Sequence, residues 1–207
     1  MVYDYLEKNY EKGEPIFLSD LKIEGMTDEN IRYHLKKLTD DGIICRFESG
    51  VYYMPKKDIF GENAILSVEI VAIRKYIKRH NKRVGFYSGY TLANKLGLST
   101  QVPFTQEITS NFAPATVRKI QMKNKNYIIR KPVVFVTDEN AKILQFLDCL
   151  KDIEKYAEED METCGKILSD YIIRNEITKT MVDKYVTYYP LKIYKALYET
   201  GVINVLA

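Results

Sequence analysis

The sequence is short of almost everything that catalysis needs. Its 207 residues include two histidines, His34 and His80, and three cysteines, Cys45, Cys149 and Cys164. Neither histidine has a Ser or Cys nucleophile placed to use it as a base. His34 reads as a half-buried helix residue, with no Cys, His or carboxylate at ligand spacing. Three scattered cysteines are too few for a disulfide framework, and no C-x-x-C pair suggests zinc; they read as small hydrophobes in a reducing compartment. Between Asp58 and Asp138 there is no aspartate, and only Glu62, Glu69 and Glu107 are acidic. A nuclease or nucleotidyltransferase holding divalent ions needs clustered carboxylates, and neither a Gly-Ser turn before Asp-x-Asp nor an Asp…Glu-x-Lys arrangement occurs. There is no P-loop and no G-x-G-x-x-G. No apolar run reaches the ~18 residues a membrane span needs. Met1–Lys8 has no basic stretch followed by an apolar one, so no secretory signal is expected. Together these absences predict a cytoplasmic protein that is not an enzyme, needs no metal or cofactor and does not engage membranes.

What is present is an ordinary globular composition, 46% hydrophobic and 29% charged, enough for one or two domains with cores of their own. The net charge of +3 hides an uneven distribution. Residues 1–60 carry nine Lys/Arg against twelve Asp/Glu, and residues 133–207 carry nine against thirteen. Residues 61–132 carry thirteen against three. A chain polarised in this way meets a polyanion or an acidic partner through its basic part, unless the charge is only a solvated face.

At the N-terminus, Val2, Tyr5, Leu6 and Tyr10 recur at helical spacing and predict a helix over 2–11. Pro15 precedes a short second helix holding Ile16, Leu18 and Leu21. Thr27 caps a third, with Asp28 and Glu29 in its first turn and Ile31, Leu35 and Leu38 as its apolar stripe, ending at Gly42. Ile43–Glu48 and Val51–Met54 across Ser49-Gly50 predict a β-hairpin. Three helices and a hairpin describe a winged helix-turn-helix over 1–58. On its third helix Arg32, Tyr33, Lys36 and Lys37 lie opposite the stripe, where they would enter a major groove, Arg32 contacting guanine. Arg46, Lys56 and Lys57 would reach phosphates. The alternative is a protein-binding winged helix, which the acidic balance of this segment keeps open. Weak phosphate attraction also predicts a homodimer or cooperative binding on DNA.

Residues 61–80 read as one long helix, with Leu66, Ile70, Ile73 and Ile77 on one face. Arg74, Lys75, Lys78, Arg79 and Lys82 gather on the other, a basic face for nucleic acid or an acidic protein. A strand at 85–87 follows. Ser88 caps a helix over 90–96, which Gly97 ends. Strands follow near 105–110, 117–122, 127–130 and 133–136. The expected fold class is α+β: the winged helix, then a small α/β unit on an antiparallel sheet, then a helical tail. The domains are 1–58 and 61–207, the second divided into a basic part, 61–136, and a helical part, 137–207. Helices are expected at 138–157, 159–174, 178–188 and 190–200. Glu158-Glu159-Asp160-Glu162 marks a solvated loop and helix start, or answers the basic segment of another subunit.

The stretch from Ser88 to Pro103, SGYTLANKLGLSTQVP, with Thr109, Asn111 and the Val117-Arg118-Lys119-Ile120 strand, resembles the AbiEi-type antitoxins of abortive-infection toxin–antitoxin pairs. The resemblance runs to about residue 137. It implies an N-terminal domain that represses its own operon by binding double-stranded operator DNA, and a C-terminal part that contributes to antitoxicity. The implied partner is a cognate nucleotidyltransferase-like toxin, countered without a stable complex being required; the setting is phage defence. No catalytic residue comes with the motif. Ser88, Gly97 and Pro103 are explained by capping and turn chemistry, which leaves Asn94, Thr100 and Gln101 as exposed hydrogen-bonding groups on the loop. A ligand-responsive winged-helix transcription factor and an RNA- or protein-binding adaptor are the other readings.

Overall fold

A computed structural model describes residues 1–206 as a mixed α+β protein. The chain forms two compact units, Met1–Ala72 and the remainder from Ile73. In the first, α1 (Val2–Asn9) turns Val2 and Leu6 inward. Where a second helix was expected, the chain instead makes β1 (Ile16–Phe17) and one 3-10 turn, Leu18–Asp20. Both strand residues are buried, and β1 pairs antiparallel with a later strand: tertiary pairing outweighs local helical spacing over so short a run.

The helix α2 (Asp28–Asp40) forms as its sequence signals. The Thr27 hydroxyl accepts from the Asn30 amide at 3.3 Å, which satisfies one of the orphan donors of the first turn. Ile31 and Leu35 are buried, Leu38 half-buried, and they pack with Leu6, Ile16, Leu21, Ile44 and Met54. The hairpin β2 (Cys45–Glu48) and β3 (Val51–Tyr53) carries a bulge between Arg46 and Glu48. The sheet order is β1-β3-β2, so β3 is central, and each of its residues is buried.

The helix expected over 61–80 is much shorter: α3 spans Val68–Tyr76. Beyond it the chain turns back as a hairpin, β4 (Lys78–Arg79) with β5 (Lys82–Arg83). His80 and Asn81 at its tip both have positive φ, 47° and 61°. Those are the values of a two-residue turn whose twist matches paired strands, and Asn tolerates them better than most residues. The apolar spacing of Ile73 and Ile77 therefore concealed a strand.

In the second unit β6 (Gly85–Tyr87), β7 (Thr105–Ser110), β8 (Val117–Met122) and β9 (Lys125–Arg130) form a sheet in the order β6-β7-β9-β8. The expected antiparallel sheet is corrected here, because β7 and β9 pair in parallel. The reason lies in which strand is oiliest. Tyr127 and Ile129 of β9 are fully buried, whereas Val117, Arg118 and Lys119 of β8 are exposed. The β8–β9 hairpin therefore docks by its apolar strand and leaves the polar one at the edge.

The helix α4 (Gly89–Leu96) packs on β7. It is followed late in the chain by α5 (Ala141–Leu150), α6 (Ile153–Tyr156), α7 (Met161–Arg174), α8 (Lys179–Val186) and α9 (Lys192–Glu199). These helices are no separate tail. They share one core with Phe86, Leu92, Leu98 and Val136. Nearly every side of α5 is buried, Ile143, Leu144, Leu147 and Leu150 included. Burial pushes the Cys149 thiol up to about 12, so it behaves as an inert hydrophobe. The expected helix over 138–157 breaks at Lys151-Asp152.

Candidate nucleic-acid interface

On α2, Arg32, Tyr33, Lys36 and Lys37 all project into solvent, Tyr33 with 65% of its surface exposed. Arg32 and Lys36 stand one turn apart, as do Tyr33 and Lys37, so the four form a contiguous outward strip. The same strip carries Asp28 and Glu29 at its start and Asp40 at its end, which lowers its positive potential. The Tyr33 ring meets His34 edge-on, with centroids 5.5 Å apart. Arg46 is exposed on β2, opposite Tyr52 in the ladder. Lys56 and Lys57 are exposed just after β3, where the Ala64 amide donates to the Lys56 carbonyl at 2.8 Å. The seven expected DNA contacts thus lie on α2, on β2 and in the segment after β3, and only the α2 group is one strip.

The basic set expected on one helix face is divided. Arg74 and Lys75 are half-buried on α3. Lys78, Arg79 and Lys82 belong to the β4–β5 hairpin together with Arg83, which pattern reading had not singled out. The signal available was the His80-Asn81 pair, a turn sequence between Lys-Arg dipeptides.

The loop after α4 is bound up in its own unit. The Asn94 amide donates to the Ser99 carbonyl at 3.3 Å. Thr100 gives both its amide and its hydroxyl to one oxygen of Glu158, at 2.9 and 2.7 Å, and Ser99 gives its hydroxyl to the other at 2.6 Å. Of the three expected surface donors, Asn94 and Thr100 therefore fix the loop, whereas the Gln101 side chain is exposed. The Ser99 hydroxyl, with the Thr100 amide and hydroxyl, holds the Glu158 carboxyl down at about 2. Asp160 caps α7 by accepting from the Thr163 amide at 2.8 Å.

Sequence reading also missed a buried carboxylate. Ser88 stands at the N-cap of α4, yet its side chain makes no cap hydrogen bond. Glu107 reaches over from β7 instead, accepting from the Tyr90 amide at 3.2 Å and from Arg130 on β9 at 2.7 Å. Its own amide donates to the Thr91 hydroxyl at 2.8 Å. A methyl group on Gly89 would lie 2.4 Å from this carboxylate, so glycine is needed for the approach. This arrangement closes a helix end against a sheet and serves structure.

Among the described residues no group of three His, Cys, Asp or Glu side chains is arranged to hold a metal ion, and no helix is long and apolar enough to cross a membrane. The model of a family of unknown function, DUF6088, matches residues 3–179. The chain belongs to that family, whose description assigns it no activity. No curated protein matches the sequence.

Proposed function

We propose that the protein is a DNA-binding transcriptional repressor and antitoxin, whose residues 1–58 act as a winged helix-turn-helix on the operator of its own toxin–antitoxin operon. In this reading α2 is the recognition helix, β2 and β3 are the wing, and the turn at Leu18–Asp20 stands in for the usual preceding helix. The observation that carries it is the α2 strip: Arg32, Tyr33, Lys36 and Lys37 face solvent along one helix whose opposite side is seated on an apolar core. A helix held in that way can enter a major groove without unfolding anything. The acidic balance of residues 1–60 keeps non-specific attraction small, so tight binding requires two copies or cooperative occupancy. The antitoxin part, with its nucleotidyltransferase-like toxin partner, rests on the resemblance of the Ser88–Pro103 stretch. The protein acts by binding and catalyses nothing.

The test is fluorescence anisotropy of the chain on duplex DNA from immediately upstream of its gene, against a scrambled duplex. Arg32→Ala with Lys36→Ala should abolish the preference for the upstream sequence, since each good base contact contributes about 1–3 kcal/mol of discrimination. Unchanged sequence preference in that variant would remove α2 as the reading element.

A further inference from the structure

The β4–β5 hairpin stands beside the Phe112 ring and is tied, through Asn111 and Asp138, to the segment that carries exposed Phe135. Asn111, just past β7, clamps a distant segment through both halves of its amide: Nδ2 donates to the Val136 carbonyl at 2.8 Å, and Oδ1 accepts from the Val136 amide at 2.9 Å. The Asn111 amide donates to the Val84 carbonyl at 2.8 Å, which ties the same corner to the base of the hairpin. Asp138 accepts from the Arg83 amide at 2.9 Å. The neighbours of the two clamped residues, Phe112 and Phe135, point outward, 45% and 71% exposed. Asn140 fixes the second by donating to the Phe135 carbonyl at 2.9 Å. The Arg79 guanidinium lies 4.5 Å from the Phe112 ring centroid.

Exposed apolar rings on one corner and rimmed by charge are the kind of patch that marks an interaction surface. The rim decides what binds there. Lys78, Lys82 and Arg83 of the hairpin add their charge to Arg79, against Asp138 and Glu139. The ammonium of nearby Lys142 is held below its usual value by burial and by the Arg83 charge. A second copy docking symmetrically by this same corner would set positive rim against positive rim. A duplex keeps the faces of its bases stacked and offers such rings nothing. Unpaired bases offer a face to each ring and a phosphate to each cation.

We propose that the corner formed by the Lys78–Arg83 hairpin, Phe112 and Phe135 is a binding platform for single-stranded nucleic acid. The strand stacks bases on the two rings and lays its backbone along the hairpin. This site belongs to the second unit, whereas α2 belongs to the first, and it does not depend on α2 reading a duplex.

The experiment uses the full chain carrying Arg32→Ala and Lys36→Ala, so that binding through α2 does not contribute. Labelled RNA and DNA single strands of about 12 nucleotides, and the duplex of the same sequence, are titrated by anisotropy at low salt. Both single strands, or RNA alone if the 2′-hydroxyl is read, should bind more tightly than the duplex. Phe135→Ala and Phe112→Ala should each weaken strand binding by about tenfold, with Phe135→Trp restoring it. Lys78→Ala with Lys82→Ala should lower the slope of affinity against salt by roughly 1.4. Phe135 is exposed enough that its truncation leaves folding intact, which circular dichroism checks. Three results would overturn the proposal: a duplex bound as well as the strand, strand affinity indifferent to both phenylalanines, or displacement by polyglutamate at equal charge. The last would assign the corner to an acidic protein.

Discussion

Gly89→Ala should destabilise the second unit far more than Gly97→Ala, although both glycines have positive φ, 55° and 84°. Either alanine meets the left-handed penalty of about 1–2 kcal/mol. At Gly97 the new methyl group finds nothing within 4 Å, so the cost stops there. At Gly89 it would lie 2.4 Å from the Glu107 carboxylate, which must move. Moving it strains the bonds from the Tyr90 amide and Arg130, and a hydrogen bond to a charged group contributes about 1.5–3 kcal/mol. The Arg130 side chain is 39% exposed, so water replaces part of its share. An excess of about 2–3 kcal/mol over Gly97→Ala remains. Urea unfolding followed by near-UV circular dichroism measures it. Repeating Gly89→Ala in a Glu107→Ala background should erase most of the excess, because the obstacle is then gone. Equal costs at the two glycines, or an excess that survives removal of Glu107, would refute the role given to this carboxylate.

Two further outcomes are expected. The Thr100 amide resonance should titrate with a midpoint near 2, because the Glu158 carboxyl it binds lies there instead of at 4.5. A lowered folded value means that the stability contributed by the contact is full above about pH 4.5, falls below it and is lost as pH drops through about 2, where the contact itself breaks; Glu158→Gln should leave the resonance flat, and a wild-type midpoint of 4.5 would contradict the clamp. Leu35→Ala should cost about 2–5 kcal/mol in the first unit, as a fully buried leucine of the α2 stripe, and should impair duplex binding in proportion to the unfolded fraction; full stability would mean that α2 is not anchored by this stripe.

The elements that could be read from the sequence are those whose signals are local. Thr27 and the spacing of Ile31, Leu35 and Leu38 located α2 almost to the residue, and Ser49-Gly50 located the hairpin. The structure departs from that reading where the deciding partner is remote. β1 is two residues long and exists because β3 pairs with it. The parallel pairing of β7 with β9 follows from competition among strands for the buried position, which no single strand declares. Ser99 and Thr100 meet Glu158 from 59 and 58 residues away, so their loop looked free. Phe112 and Phe135 are brought to one corner by the Asn111 clamp, across 25 residues of chain. Of the expected interface, the α2 strip was legible because it is the complement of an apolar stripe. The basic hairpin was not, because the helical rhythm of Ile73 and Ile77 ran right up to its first strand.

Lysine acetylation read by mass spectrometry tests directly which surface a duplex covers. With saturating upstream duplex, Lys36 and Lys37 should lose most of their reactivity and Lys56 and Lys57 part of theirs. Exposed lysines on the helices of the second unit, such as Lys166 and Lys184, should stay as reactive as in the free chain. Lys36 and Lys37 remaining fully reactive under a bound duplex would contradict the assignment of α2 as the recognition helix.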